Sequence, residues 1–390
     1  MIMSRDGTKI DVVCFGGEDW WYHNRGHIDF QLMRRFAKNG KVLYVNSIVM
    51  QKPKLSQGRR FFAKLLRKTK SIMTGLKKTD AGFWVYSPFS LPVHHLFAAR
   101  RLNHLLLRIQ LWRVRKKLAM KDFIVWVACP AACDIAISMK KARLIYQRTD
   151  VYELYPDVPA EVVRRCDLEL KAKSDLTVFV NKKLYTSESS QCNKAIYLDH
   201  GVDFKKFSTA EKLEEIPADM SSISKPIVGF YGSINGRNTV DTELIAEAAA
   251  CLPEMSFVLI GKVESDCDDL VRRANVWMLG QKAYEEIPHY GKCFDVAIMP
   301  WRQNRWVENC NPVKLKEYLA LGKPVVSTPF EQLQGYREVI YEAKTPEAFV
   351  ESIKKALHED NPERIAARRA KVLHDSWESK SQLVMRELLI

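Results

Sequence analysis

The stretch "NCNPVKLKEYLALGKPVVST" spans residues 309–328 and joins a helix to the strand that follows it. Pro312 suits the first turn of a helix, because the N–H that proline lacks would have no partner there. Gly322 marks the end of the helix, and the β-branched residues behind it predict a buried strand. A short helix leading directly into such a strand is typical of a parallel α/β sheet.

Lys314 and Glu317 lie three positions apart at the start of this helix. The free N–H groups and the positive dipole end of a helix N-terminus attract phosphate, and Lys314 adds a full charge at the same place. Glu317, one turn further on, can accept hydrogen bonds from two sugar hydroxyls. The pair therefore predicts a site for a diphosphate next to a ribose; the alternative is an ion pair on the surface of the helix.

Strands and helices alternate along the rest of the chain. "KIDVVCFGG" predicts a buried strand, "HIDFQLMRRFAKNG" a helix, and "KVLYVNS" the next strand of a parallel βαβ unit. The pattern starts again after "YLDHGVDFKKF", with "KPIVGFYGSI" as its first strand. Since 390 residues exceed one ordinary core, we predict an α/β protein of two doubly wound Rossmann-like domains, with ligands at the carboxyl ends of the strands in the cleft between them.

The composition, 47% apolar and 27% charged, is that of a soluble globular protein. The sequence contains no run of 18 or more apolar residues, so it predicts no transmembrane helix. The N-terminus lacks the apolar centre of a signal peptide. The nine cysteines form no paired pattern, which favours a reducing compartment. We expect a cytoplasmic protein.

Positive charge is concentrated in one part of the chain. Between Phe30 and Lys121 there are 22 lysines and arginines and a single acid, Asp80, so this block carries +21 and the remainder −6. Such a block implies an anionic partner: a membrane surface, nucleic acid or a phosphorylated substrate. The segment Arg59–Lys78 predicts a basic amphipathic helix that lies on a membrane; the alternative is a helix packed on its own domain. No nucleic-acid-binding module is recognisable.

The order "FDVAIMPW", then "NPVKLKEYLALGKPVVST", preceded by "VGFYGSINGR" and "YLDHGVDFKKF", resembles the GT-B glycosyltransferases. Within this group the sequence resembles the teichuronic-acid type enzymes and the xanthan-type glucuronosyltransferase. The resemblance implies an enzyme with two Rossmann-like domains facing across a cleft. It would move a sugar from a nucleotide sugar, expected to be UDP-linked, to a lipid-linked or polysaccharide acceptor in cell-surface glycan biosynthesis.

The resemblance also implies a division of the chain. Residues 1–205 would form the acceptor-binding domain, with a basic membrane-facing segment at 52–121. Residues 206–372 would bind the nucleotide sugar, and a helix in 373–390 would return to the N-terminal domain. The protein would work at the inner face of the cell membrane, peripherally bound. It would need no metal and no cofactor, since the nucleotide sugar is a substrate.

Site residues carry over position by position. Lys314 would contact the donor diphosphate and Glu317 the ribose, while small residues in the loop after "VGFY" would let the backbone approach the phosphates. Arg237 would be the second diphosphate cation. Trp301 would lean on the sugar or the base, and Tyr284 would lie near the uracil. The expected donor set is Gly232, Ser233, Arg237, Tyr284, Trp301, Asn309, Pro312, Lys314 and Glu317.

Two departures bear on the mechanism. Retaining GT-B enzymes commonly carry a glutamate eight positions before the ribose glutamate, where this chain has Asn309, and the usual histidine after "DFIVWVA" is missing. An inverting enzyme needs a general base for the acceptor hydroxyl. Asp150, at the end of "LIYQRTD", is the candidate, and a helix cap is its alternative role.

The first loop, "FGGEDWWYHNRGHID", offers Gly16, Gly17, Asn24 and Arg25 for the acceptor or the cleft. His23 and His27 lack a third ligand nearby, and "DCDD" at 266–269 is interpreted as a surface turn, so no metal site is expected. Two other functions remain open: a UDP-sugar 2-epimerase of the same fold, and a non-catalytic protein that binds nucleotide sugars.

Overall fold

The computed structural model describes residues 11–22, 26–48, 59–91, 97–154, 158–234, 239–263, 267–304, 307–309 and 311–389. Of these, residues 59–64, 97–99, 309 and 389 are described in their backbone only. The chain divides into two compact units. One contains Met1–Asp199 and Lys380–Ile390, and the other contains His200–Ser379.

The first unit is built on an eight-stranded sheet. Its strands are β1 (Asp11–Phe15), β2 (Val42–Val45), β3 (Leu76–Lys78), β4 (Trp84–Tyr86), β5 (Phe123–Val127), β6 (Arg143–Arg148), β7 (Leu176–Phe179) and β8 (Ala195–Tyr197). Its helices are α1 (Ile28–Phe36), α2 (Arg59–Met73), α3 (Phe97–Lys117), α4 (Cys133–Ser138), α5 (Ala160–Lys173) and α6 (Lys182–Glu188).

The strands of this sheet lie in the order β3-β4-β2-β1-β5-β6-β7-β8, and all pairs are parallel except β3 with β4. The chain order reverses between β1 and β5, as in a doubly wound sheet. β1 and β5 are buried along nearly their whole length, which is why their sequences are continuous apolar runs. The predicted first βαβ unit is present, with Phe30, Met33 and Phe36 of α1 buried.

The second unit contains a six-stranded parallel sheet. Its elements are α7 (Phe204–Ser208), β9 (Ile227–Tyr231), α8 (Thr242–Cys251), β10 (Ser256–Ile260), α9 (Asp268–Val271), β11 (Val276–Gly280), α10 (Ile287–Gly291), β12 (Val296–Met299), α11 (Lys314–Leu321), β13 (Val325–Ser327), β14 (Tyr341–Glu342), α12 (Pro346–His358) and α13 (Pro362–Val372). A last helix, α14 (Trp377–Leu389), begins in this unit, and its residues from Lys380 onward belong to the first.

The second sheet has the order β11-β10-β9-β12-β13-β14, so the chain order reverses between β9 and β12. Helices precede or follow each strand, and the predicted class, α/β with two doubly wound Rossmann-like domains, is confirmed. The opening stretch folds as expected: α11 ends at Gly322, whose φ of +84° is the left-handed conformation typical of a helix C-terminus, and β13 follows.

The predicted helix Arg59–Lys78 is longer than the helix in the structure, α2. α2 ends at Met73, because Gly75 takes a φ of +63° and its N–H bonds back to the carbonyl of Ile72 at 3.0 Å. Leu76–Lys78 then pairs with β4 as an antiparallel edge strand. Within the described parts of the chain, no helix is both long and apolar enough to cross a membrane.

Candidate functional site

The main candidate site lies where the second sheet reverses its chain order. Gly232 directly follows β9, Trp301 follows β12, and Lys314 is the first residue of α11. Ligands of doubly wound sheets bind at the carboxyl ends of the strands at such a reversal. The structure therefore brings these three predicted residues to the place where the fold favours a ligand.

Gly232 allows the Lys314 side chain to cross the strand end. Its φ is +145°, and a Cβ placed on it would lie 2.4 Å from the Lys314 Nζ atom. Gly261, which follows β10 with a φ of +152°, packs on the Gly232 backbone so closely that its own Cβ would meet the Gly232 carbonyl oxygen at 1.7 Å. The sequence analysis did not single out Gly261, although "SFVLIG" repeats the strand-then-glycine pattern of "VGFYG". Close packing against backbone requires glycine at 261, and the positive φ favours glycine at 232.

Two aromatic rings hold the Lys314 ammonium. Its Nζ lies 5.0 Å from the Phe230 ring centroid and 4.7 Å from that of Trp301. Cation–π attraction of this kind fixes a charge in position without neutralising it. Trp301 is 8% exposed, and its backbone N–H donates to the Thr328 hydroxyl at 2.8 Å. The tryptophan thus supports the lysine from a buried position.

Glu317 is buried one turn behind Lys314, with 3% of its surface exposed. Burial raises the pKa of its carboxyl to about 7, against the lowering effect of the nearby Tyr284 and Tyr231 hydroxyls and the Lys314 charge. Its Oε1 atom has no hydrogen-bond partner among the described residues. Because a buried polar atom is usually paired, this oxygen is well suited to accept a hydrogen bond from a ligand.

Tyr284 and Lys206 complete the surroundings of Glu317. The Tyr284 side chain is 4% exposed and packs on Phe207 at 6.2 Å between ring centroids. The Lys206 Nζ lies 5.0 Å from the Tyr284 ring centroid, and its charge lowers the Glu317 pKa. Sequence reasoning missed Lys206, although "DFKKF" lies in the stretch that carried the family resemblance.

The back of α11 is anchored to its own unit. The buried Lys316 ammonium donates to the His200 carbonyl and to the Asp375 carboxylate, both at 2.7 Å. The Tyr231 N–H donates to the Tyr318 hydroxyl at 2.9 Å. These contacts fix the rotation of α11, so Lys314 and Glu317 keep their direction relative to the sheet.

The other residues predicted to bind the donor lie, along the chain, just before α11 and after β9. Ser233 is exposed next to Gly232, and the Pro312 carbonyl accepts from the Leu315 N–H at 3.3 Å as α11 begins. Asn309 ends a 3₁₀ turn at Val307–Asn309. Arg237 lies outside the described residues.

In the first unit, Asp150 follows β6 and is half-buried. Its carbonyl accepts from the Tyr152 N–H at 3.0 Å, where a 3₁₀ turn begins. The strand end before it is rigid: the Arg148 side chain is fully buried and forms ion pairs at 3.3 Å with three acids. Those acids are Glu153, Asp167 and Glu188.

Glu18, which the sequence analysis did not propose, lies close to Asp150. Burial raises the pKa of Glu18, the nearby His27 lowers it, and the negative charges of Asp29, Asp19 and Asp150 raise it further. A half-buried carboxyl with a raised pKa beside a second carboxylate is typical of acid–base sites. The signal in the sequence was the acid directly after "FGG", at the carboxyl end of β1.

The first-loop glycines have packing roles. A Cβ on Gly16 would collide with the Tyr44 ring and hydroxyl. The Gly17 N–H donates to the Asp29 carboxylate at 2.9 Å, and the Tyr44 hydroxyl donates to the same carboxylate at 2.7 Å. The Gly17 N–H is therefore already paired within the loop. Asn24 and Arg25 lie outside the described residues, as does His23.

The described residues contain one group with metal-ligand spacing. Single ligand atoms of Cys133, Asp134 and Glu169 lie within 4.8 Å of one another. Arg165 pairs with both carboxylates, at 3.3 Å to Asp134 and 3.1 Å to Glu169, and Lys173 pairs with Glu169 at 2.7 Å. Because the acids are already neutralised, the group is better explained as an ion-pair cluster.

Residues 225–359 match the family model described as glycosyl transferases group 1. TuaH of Bacillus subtilis (strain 168), a glycosyltransferase assigned to teichuronic acid biosynthesis, is 24% identical over 283 residues, which cover 67% of this chain and 70% of TuaH.

Solved structures share the fold over nearly the whole chain. Sucrose-phosphate synthase from Thermosynechococcus elongatus has a TM-score of 0.67 at 14% identity, covering 97% of this chain and 98% of the synthase. Anabaena HepE, solved with UDP and glucose, has a TM-score of 0.64 at 14% identity and covers 97% and 99% of the two chains. Trehalose-6-phosphate synthase from Burkholderia multivorans has a TM-score of 0.64 at 13% identity, with 98% of each chain covered.

The resemblance to GT-B glycosyltransferases is thereby confirmed. The chain has the GT-B fold, and residues 225–359 of its second unit match the group 1 glycosyltransferase model. Together the matches indicate an enzyme of the glycosyltransferase class.

Proposed function

We propose that the protein transfers a sugar from a UDP-sugar to a lipid-linked or polysaccharide acceptor in cell-surface glycan biosynthesis, at the inner face of the cell membrane. The observation that carries the donor assignment is the buried Glu317 with its open Oε1 atom next to the ring-held ammonium of Lys314. HepE was solved with UDP-glucose, which supports the donor, and TuaH is assigned to teichuronic acid biosynthesis, which supports a glycan acceptor.

In this proposal the donor diphosphate binds over Gly232 and Ser233, against Lys314 and the N-terminus of α11. Backbone N–H groups at a helix start and a lysine charge both favour phosphate oxygens. Glu317 accepts hydrogen bonds from the ribose hydroxyls through Oε1, and it accepts them more strongly in its ionised form. We propose that the rest of the donor-binding set consists of Arg237, Tyr284, Trp301, Asn309 and Pro312.

The transfer step needs a base on the acceptor side. We assign Asp150 to take the proton of the acceptor hydroxyl as its oxygen bonds to the anomeric carbon and the UDP oxygen leaves, which inverts the configuration. The leaving diphosphate gains negative charge, and Lys314 stabilises it. Lys314 supplies positive charge of the kind that a metal gives in other transferases, so we propose that the reaction uses neither metal nor cofactor.

The test is transfer by the purified protein to lipid-linked acceptors in detergent, with a panel of UDP-sugars and with EDTA present. We expect one or a few UDP-sugars to give a product whose anomeric configuration, measured by NMR, is inverted. UDP binding by calorimetry without transfer to any acceptor would favour the non-catalytic alternative. Absence of UDP binding would overturn the donor assignment.

A further inference from the structure

The outer face of α3 exposes a row of large apolar side chains. Leu102, Leu105, Ile109 and Trp112 are 46%, 53%, 40% and 55% exposed. Their spacing of three and four residues places them on one side of the helix, in a stripe of roughly 15 Å. Single exposed apolar side chains are ordinary, but a continuous stripe marks an interaction surface.

The opposite side of α3 already supplies the packing that the fold needs. Leu107, Leu111 and Val114 are buried and belong to the core of the first unit. Leu118, just beyond the helix, continues this buried row. Because the outer stripe contributes little to this core, polar substitutions there should leave the unit folded.

The stripe is surrounded by positive charge. The Lys116 Nζ lies 5.2 Å from the Trp112 ring centroid. A groove of about 410 Å³ runs between α3 and the end of α4, and no acid is among the residues that line it. Three of its lining residues are cations, Arg108, Arg115 and Lys140. From Phe97 to Lys117 the helix has no acidic residue and seven basic ones, Arg100, Arg101, Arg108, Arg113, Arg115, Lys116 and Lys117.

We propose that the outer face of α3 is the docking surface for an anionic phospholipid bilayer. The apolar stripe enters the acyl region, the basic side chains meet lipid phosphates, and Trp112 lies at the interface, where tryptophan is favoured. The inference deepens the membrane partner of the proposed function and rests on it, but it places the contact on α3 instead of on Arg59–Lys78. The stripe does not favour a nucleic acid as the partner, because bases stack on aromatic rings and three of its four side chains are leucine or isoleucine.

The test compares two matched triple variants in sedimentation with phosphatidylglycerol–phosphatidylcholine vesicles. Leu105→Gln/Ile109→Gln/Trp112→Gln alters α3, and Leu65→Gln/Leu66→Gln/Met73→Gln alters the exposed side of α2. Both keep the net charge. We expect the α3 variant to lower vesicle partitioning at least tenfold and the α2 variant to lower it less, with UDP affinity unchanged in both. Brominated lipids should quench the parent's fluorescence more than that of Trp112→Phe.

Several results would overturn the inference. The first is a parent protein that does not sediment with the vesicles. The second is equal vesicle partitioning of the parent and the α3 variant, and the third is a larger loss of partitioning in the α2 variant than in the α3 variant. A parent that self-associates in light scattering, with an α3 variant that is monomeric yet still binds vesicles, would assign the stripe to a second copy of the chain. Transfer in detergent without vesicle binding would leave the proposed reaction intact, whereas vesicle binding without transfer would leave only the docking surface.

Discussion

The two units carry their candidate chemistry in different ways. In the second unit, Lys314 and Glu317 project from one regular helix, and the strand ends opposite them hold the lysine by packing. In the first unit, Glu18 and Asp150 lie on two loops far apart in the chain, each fixed at the end of a buried strand. A site on one helix leaves a spacing motif in the sequence, whereas a site assembled from two loops leaves only isolated acids.

The largest effect is expected from removing the proposed base in the first unit, Asp150. Asp150→Asn should reduce turnover about 10²–10⁴-fold, the usual loss for a general base, while UDP affinity stays near that of the parent. Steady-state transfer and calorimetry measure the two effects. Asparagine caps a helix as well as aspartate does, so an active variant would contradict the assignment of Asp150 as the base.

Glu18→Gln is the matched control for that experiment, because Glu18 lies beside Asp150 and its pKa is raised. We expect a smaller loss of turnover and a shifted pH profile. If Glu18→Gln loses more activity than Asp150→Asn, the base is Glu18 and the role of Asp150 is to raise its pKa.

On the donor side, Lys314→Ala should weaken UDP binding about tenfold or more. It removes a charge-assisted phosphate contact worth roughly 1.5–3 kcal/mol. Calorimetry with UDP measures the change. Lys316→Ala is an unsuitable comparison because Lys316 anchors α11, so the control is the exposed Lys354→Ala on α12. Equal affinity of parent and Lys314→Ala would show that the diphosphate binds elsewhere.

Glu317 makes donor binding depend on pH. With a pKa of about 7, its carboxyl is mostly protonated at pH 6 and mostly ionised at pH 8, so UDP affinity should rise up to about tenfold over this interval. Glu317→Gln should bind more weakly at pH 8 and lack this rise, and subtracting its profile removes the titration of UDP itself. A parent profile that matches that of Glu317→Gln would exclude the ribose role.

The same raised pKa affects stability in the opposite direction. In the unfolded chain the pKa of Glu317 is near its ordinary value of 4.5, whereas in the folded chain burial raises this pKa to about 7. The free energy of unfolding of the ligand-free protein should therefore fall between these pH values, by at most about 3 kcal/mol from this group. Denaturant titrations of parent and Glu317→Gln should converge at pH 4 and diverge at pH 8.

The smallest effect is expected at Lys206. Its charge acts on Glu317 from beside the Tyr284 ring, so Lys206→Gln should raise the pKa of Glu317 slightly and move the pH profile of UDP binding toward higher pH. An affinity loss equal to that of Lys314→Ala would mean that Lys206 contacts the phosphates directly.

The sequence by itself determined the features that repeat along the chain. Alternating apolar strands and helices predicted two doubly wound sheets, and the spacing of Pro312, Lys314, Glu317 and Gly322 predicted one helix and its site. These follow from local rules, because helix geometry fixes the direction of residues three and four apart. The predicted end of α2 was wrong because charge and apolar spacing continue past Gly75, whose positive φ breaks the helix.

Only the tertiary structure decided the contacts between distant segments. The pKa of Glu317 depends on its burial and on the hydroxyls of Tyr231 and Tyr284 from other elements. The glycine at 261 matters only because the Gly232 backbone lies against it. The proximity of Glu18 to Asp150 and the exposure of the apolar stripe on α3 likewise follow from how strands and helices pack. A linear pattern records which residues face the same way on one element, but pKa values and exposed surfaces depend on everything that packs around them.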